Sequence, residues 1–147
     1  MTASREIICG HCGQINRLPV DRAVASARCG VCHQSMFTER PIEVDESGFD
    51  RHVARSDIPL LVDVWAPWCG PCRAMAPMFE KAASELEPNV RLLKLNADKA
   101  AAASSRLGIS GIPTLLLMKD GQVISRTSGA MDTKSIVAWT RAGLSQS

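Results

Sequence analysis

No stretch of these 147 residues approaches the ~20 consecutive apolar positions that a membrane helix needs. The opening MTASREIICGHC also lacks an apolar segment long enough for a secretory signal. The expectation is a soluble, cytosolic protein, in a compartment where thiols stay reduced and paired cysteines more often bind metal or do catalysis than staple a fold. Charge of one sign is lacking too, with 17 Lys/Arg against 15 Asp/Glu. Residues 41–147 carry 12 of each, whereas residues 1–40 carry 5 basic side chains (Arg5, Arg17, Arg22, Arg28, Arg40) against 3 acidic ones (Glu6, Asp21, Glu39). An excess this small leaves no basic patch of the size nucleic acid requires. There is no Gly-rich dinucleotide loop. The only repeat is a recurring C-x-x-C, and the one biased stretch, KAAAASS (Lys99 to Ser105), reads as alanine-rich helix.

What is present is cysteine in an ordered pattern. All six cysteines fall into three C-x-x-C units: Cys9/Cys12, Cys29/Cys32 and Cys69/Cys72. Residues 1–40 hold four of them and little that resembles a core; residues 41–147 hold dense apolar runs such as IPLLVDVW and IPTLLLM. A chain of this length accommodates one slightly small domain plus a mini-module, with a boundary expected near Pro41.

The larger part alternates strand and helix patterns. Strands are expected at 41–44, 59–65, 90–97, 113–119 and 122–128, and helices at 46–55, 69–87, 99–107 and 132–143. Alternation of this kind implies parallel strands joined by crossover helices, while the Asp-Gly within KDGQ marks a tight antiparallel hairpin between the last two strands. The fold class is α/β, a central mixed sheet flanked by helices.

Cys69 and Cys72 directly follow the strand LLVDVW and open the long second helix. Three residues apart on a helix is one face, close enough for a disulfide. At a helix N-terminus the free backbone N–H groups and the dipole stabilise a thiolate, lowering a thiol pKa from ~8.5 towards ~7. Cys69 is therefore expected to be the nucleophile, exposed, with Cys72 tucked behind it and Pro71 fitting the first helical turn. Asp63 sits inside the apolar run LLVDVW. Either it faces water from an edge strand, or it is a buried proton acceptor serving Cys72, since a buried carboxylate is costly unless its pKa rises. Lys94 in the next strand is either its charge partner or a solvated strand lysine.

The first two pairs read differently. C-x₂-C-x₁₆-C-x₂-C from Cys9 to Cys32 has zinc-ribbon spacing, and the glycine after each first cysteine lets a tight knuckle turn its N–H groups towards sulfur. So small a module, with Ile7, Ile8, Ile15, Leu18, Val20, Val24, Val31 and Phe37 as its main apolar groups, needs a metal to fold, and metal loss is expected to leave the larger domain intact. Zn²⁺ is the leading ion; iron in a sulfur tetrahedron and two labile disulfides are the alternatives. Four thiolates around Zn²⁺ would cancel the module's charge excess of two. His11 and His33, beside ligands, are expected to be exposed bystanders, and His52 a surface residue.

Taken together, VDVWAPWCGPCRAMAP, KLNAD, GISGIPTLLLMKDGQ and SGA resemble the thioredoxin family over roughly residues 42–147, with Asp63, Lys94, Pro77 and Ile112-Pro113 in the family's order. The resemblance implies a thioredoxin fold, a cis Ile112-Pro113 bond facing the Cys69–Cys72 redox disulfide, a catalytic set of Cys69, Cys72, Asp63, Lys94 and Pro113, and a substrate-docking surface formed by Trp68, Gly70, Pro71, Gly111, Ile112, Pro113 and Gly129. Pro67 departs from the acidic residue many members carry there, which bears on partner preference. The four-cysteine module, including INRLPVDR (Ile15 to Arg22), is similar to the zinc-binding thioredoxin 2 subgroup of bacteria, so the implied activity is that of a protein-disulfide reductase. One structural Zn²⁺ per chain on Cys9, Cys12, Cys29 and Cys32, and recycling by an NADPH-dependent thioredoxin reductase that itself holds the flavin and nicotinamide, complete the expectation. Three other classes share some of these features. A dedicated oxidase or isomerase usually works in an oxidising compartment, a zinc-ribbon binding module has no need of the Cys69, Asp63 and Pro113 set, and a redox-sensing switch would use oxidisable ribbon thiolates.

Overall fold

The computed structural model describes residues 3–21 and 23–146; Arg22, at the end of INRLPVDR, lies outside the described residues. Strands β1 (Ser4–Ile8) and β2 (Ile15–Pro19) form an antiparallel hairpin with Ile8 opposite Ile15, so the first C-x-x-C lies in its turn. The second pair lies in an equivalent turn closed by the Arg28–Ser35 bridge. Both knuckles use one hydrogen-bond pattern. The Cys9 and Cys29 N–H groups donate to the Gln14 and Gln34 carbonyls at 2.9 Å, and the Gly13 and His33 N–H groups donate back to Cys9 and Cys29 at 3.1 and 2.9 Å. The left-handed residue of each turn is Gly13 (φ 75°) or His33 (φ 62°), not the glycine after the first cysteine.

The larger part is a five-stranded sheet in the order β3 (Ile42–Val44), β5 (Arg91–Asn96), β4 (Leu60–Trp65), β6 (Thr114–Lys119), β7 (Gln122–Ser128). Helices α1 (Glu46–Arg55) and α3 (Ala101–Arg106) cover one face, and α2 (Gly70–Leu86) and α4 (Thr133–Ser145) the other. The apolar runs of the central strands explain this sandwich. Successive residues point to opposite faces, and Leu61, Leu92 and Leu115 pack with Phe79 and Ile136, while Val62, Leu93 and Leu116 pack with Phe49 and Ala103. Asp45 caps α1 by accepting from the Gly48 N–H at 2.7 Å, and Asp132 caps α4 by accepting from Ser135 at 2.8 Å. Asp120 (φ 53°) and Gly121 (φ 79°) make the expected tight turn between β6 and β7.

Three expectations need correction. β6 is antiparallel to β4, although alternation alone pointed to parallel pairing. The helix expected over 99–107 is a 3₁₀ turn (Ala97–Lys99) followed by α3, separated at Ala100 (φ −135°, ψ 50°), whose methyl is buried in the core. His52 is not at the surface but only 5 % exposed; burial first, then the positive charges of Arg91 and Arg51, hold its pKa down to about 4, so it is neutral. The small module's core takes in one residue of the larger part: Ile7, Leu18, Met36 and Phe37 pack with Ile58, which precedes β4.

Candidate active site and metal centre

The redox pair is placed by the end of β4. The chain leaves Trp65, turns through Pro67 and Trp68, and enters α2 with Cys69 as its N-cap. Cys69 and Cys72 are disulfide-bonded with their Cα atoms 5.2 Å apart. The Cys72 N–H donates to Cys69 Sγ at 3.2 Å, the orphan-donor arrangement that favours negative charge on that sulfur once the disulfide opens. Cys69 is 4 % exposed and Cys72 2 %. The expected exposed Cys69 is therefore not found in the disulfide-bonded state: the loop carrying Ile112 lies over it, with Cys69 Sγ 3.8 Å from the Ile112 carbonyl oxygen.

Ile112-Pro113 is cis. The Gly129 N–H donates to the Pro113 carbonyl at 2.9 Å, and Thr114 Oγ1 donates to Gly111, so the Gly111 to Pro113 loop is tied at both ends. Around the sulfurs the surface is open. A Cβ at Gly70, Gly111 or Gly129 would meet no atom within 4 Å. Pro71 and Gly111 are exposed, and Trp68 is 68 % exposed. The Trp68 indole is nonetheless fixed, because Nε1 donates to Asp98 Oδ2 at 2.9 Å.

Asp63 lies in the middle of β4, the central strand, and is 1 % exposed, which settles the choice between edge and interior. Neither carboxylate oxygen has a hydrogen-bond partner. Burial pushes its pKa up to about 7, against the opposing pull of Lys94, its direct partner across the parallel ladder. Lys94 is half-buried, with Nζ 4.3 Å from the centroid of the Trp65 ring. A carboxyl group that titrates near neutral pH, held under the redox helix, is suited to exchanging protons during catalysis.

Cys9, Cys12, Cys29 and Cys32 converge from the two knuckles, with all four sulfurs within 4.8 Å of one another. Two pairs cross between knuckles, Cys9 to Cys32 and Cys12 to Cys29, each at 3.6 Å. A zinc tetrahedron with bonds of about 2.3 Å has sulfur–sulfur edges of about 3.8 Å, so this set fits the ion. Backbone N–H groups face the sulfurs as expected: His11 donates to Cys9 at 3.3 Å and Val31 to Cys29 at 3.4 Å. Asn16, from β2, donates to Cys29 Sγ at 3.5 Å and accepts from Gly30 at 2.9 Å. His11 and His33 are exposed and stand outside the cluster.

Sequence reasoning gave no role to Asp98, although it lies in the quoted KLNAD, or to Arg51 and Arg91, which reach the first knuckle from the larger domain. A lone arginine opening the apolar strand RLLKLN was the one available signal.

Comparison with known proteins agrees with this geometry. The Thioredoxin family model matches residues 40–142, and the model "Thioredoxin 2, N-terminal", a zinc ribbon, matches residues 8–34. Thioredoxin C-3 of Corynebacterium nephridii is 37 % identical over 140 residues, covering 95 % of this chain and 96 % of that protein. The thioredoxin of Haemophilus influenzae is 42 % identical over 90 residues, covering 61 % of this chain and 84 % of its own. Among solved structures, chloroplastic thioredoxin z superposes with a TM-score of 0.65 at 26 % identity, covering 72 % of this chain and 96 % of that one. A buried disulfide capping α2 beneath a cis-proline loop, found in a chain matched so fully, places this protein in the thioredoxin family of thiol-disulfide oxidoreductases, the protein-disulfide reductases.

Proposed function

We propose that the Cys69 thiolate attacks a protein disulfide laid against Ile112 and Pro113, and that Cys72 resolves the product. In the first step the Cys69–substrate bond forms, the substrate disulfide breaks, and one substrate thiolate leaves. In the second, Asp63 takes the Cys72 proton, Cys72 attacks Cys69 Sγ, and the other substrate sulfur departs reduced, leaving Cys69–Cys72 oxidised. Lys94 biases Asp63 towards its charged form. Trp68, Gly70, Pro71, Gly111, Ile112, Pro113 and Gly129 form the docking surface, on which an extended segment bonds to the backbone of Ile112. An NADPH-dependent flavoprotein reductase returns the pair to the dithiol in the cytoplasm. The observation that carries this proposal is the disulfide at the N-terminus of α2, 3.8 Å from the Ile112 carbonyl. Insulin reduction coupled to NADPH and thioredoxin reductase tests it: turnover dependent on both is expected, and oxidation of added thiols without insulin reduction would point to an oxidase instead.

The second part of the proposal divides the chain at residues 40 and 41 into a zinc module and a thioredoxin domain. Cys9, Cys12, Cys29 and Cys32 would hold one Zn²⁺, which supplies folding free energy and no redox chemistry. Purified protein is expected to contain one Zn²⁺ per chain and to show two reactive thiols, Cys69 and Cys72, when reduced and undenatured. Metal analysis beside a thiol titration checks this; six reactive thiols and no zinc would refute it.

A further inference from the structure

The two knuckles are built alike but are not held alike. Among the described residues, the hydrogen bonds that hold the second come from its own module, through Asn16 and the Arg28–Ser35 bridge. The first is gripped from outside. Arg91 Nη2, at the start of β5, donates to the Ile8 carbonyl at 2.6 Å, and Arg51 Nη1, on α1, donates to the Gly13 carbonyl at 2.9 Å. Ile8 immediately precedes Cys9 and Gly13 immediately follows Cys12. Two arginines of the larger domain therefore hold the two ends of one C-x-x-C.

The knuckle comes close to the domain at Gly10, beside an open cavity of about 410 Å³ that Gly10, Gly13, Ile42 and Arg51 help to line. A Cβ on Gly10 would come 2.8 Å from Ile42 Cδ1, 3.3 Å from the Met36 carbonyl oxygen and 3.4 Å from Arg91 Nη1, so a larger residue there would have to displace the Ile42 side chain. Arg91 is 2 % exposed, with its guanidinium carbon 4.0 Å from the Phe37 ring centroid. Its other neighbour is Glu87, also buried, 3.7 Å from Nη1. Burial pulls Arg91 down to about 10 against the opposing pull of Glu87 and Cys9, so it stays charged at neutral pH.

Four thiolates and one Zn²⁺ sum to two negative charges; Cys9 and Cys29 are each 1 % exposed, Cys32 is half-buried and Cys12 is exposed. The buried half of that charge, on Cys9 and Cys29, needs cations or donors nearby. The two arginines bring positive charge to the two ends of the knuckle, with Arg91 sharing its charge between the Ile8 carbonyl and Glu87. We propose that Arg51 and Arg91 are positioning residues of the metal centre: the thioredoxin domain holds the Cys9–Cys12 half of the site in its binding geometry before the ion arrives, and supplies the counter-charge to the loaded site. This rests on the proposal that the four cysteines hold Zn²⁺. The site then belongs to the whole chain, with a fixed half and a half that closes on the ion.

The test is zinc competition against a chromophoric chelator on the full chain, for wild type, Arg51→Gln and Arg91→Gln. Neither residue reaches a ligand sulfur, so a purely structural zinc ribbon would bind equally well in all three. Fluorescence of Trp65, Trp68 and Trp139, all outside the module, verifies folding. Loss of such outer partners lowers metal affinity about 10- to 100-fold, and that drop is expected for both variants. Affinities within about twofold of a zinc-binding wild type would overturn the clamp alone, whereas a wild type that binds no zinc would overturn the metal assignment as well. If Arg91→Gln fails to fold, Arg51→Gln decides, because Arg51 is exposed on α1. Hydrogen exchange on chelator-treated wild type needs no variant. The matched amides make the comparison: Cys9 and Gly13 are expected to stay protected while Cys29 and His33 exchange, and equal loss in both knuckles would refute the asymmetry.

Discussion

Cys69→Ser is expected to reduce disulfide turnover to the uncatalysed background, while Cys72→Ser still attacks and accumulates a covalent mixed disulfide with its substrate. The asymmetry comes from α2. Cys69 is the N-cap and its sulfur accepts the Cys72 N–H, so the helix N-terminus stabilises negative charge on Cys69. Cys72 lies one turn inside α2, past the free N-terminal N–H groups that face Cys69. Mass spectrometry of each variant after exposure to a disulfide-bonded protein gives the answer. An adduct on the Cys69→Ser variant, with none on Cys72→Ser, would reverse the two roles.

Asp63→Asn is expected to stabilise the fold and slow the second chemical step. The folded-state pKa is raised to about 7 from an ordinary 3.8, so the folded protein binds this proton more tightly than the unfolded chain does. Stability is thus lost as pH rises from about 4 to about 7, and the loss is complete above that range. At about 1.4 kcal/mol per pKa unit, the ionised carboxylate costs on the order of 4 kcal/mol at pH 8. Asparagine removes that cost: denaturant unfolding should show a gain approaching this size at pH 8 and almost none at pH 4. A gain that is constant across this range would mean that folding does not raise the Asp63 pKa. Kinetically, release of reduced substrate from the mixed disulfide should accelerate through pH 7 in the wild type and lose that acceleration in the variant. Identical profiles from pH 6 to 9 would remove Asp63 from the proton path.

Much of this site can be read in the sequence because its determinants are local. Spacing puts Cys69 and Cys72 on one helical turn, a strand ends just before them, and knuckle-forming neighbours mark the other two pairs. A carboxylate within LLVDVW carries its own signal, since a five-stranded sheet buries its centre. Direction does not leave such a trace: apolar periodicity is the same for a strand run either way, so β6 was expected parallel. The alanine-rich stretch has high helix propensity throughout, yet the chain turns at Ala100 because packing outweighs propensity. His52 and Arg91 illustrate a further limit. His52 is polar on a helix that ordinarily leaves one face to solvent, Arg91 opens an interior strand, and each is buried where it borders or contacts the small module, whose sequence lies some tens of residues away.

Central to the whole assignment is a division of labour among six cysteines: one pair cycles, and four stay bound. Differential alkylation of the zinc-loaded protein, quenched during steady-state insulin reduction and mapped by mass spectrometry, reads all six at once. Cys69 and Cys72 should partition between thiol and disulfide as the supply of reductase is varied, with Cys9, Cys12, Cys29 and Cys32 constant and zinc retained. Cycling of the four module cysteines in step with turnover, or turnover with Cys69 and Cys72 fixed in one state, would contradict it.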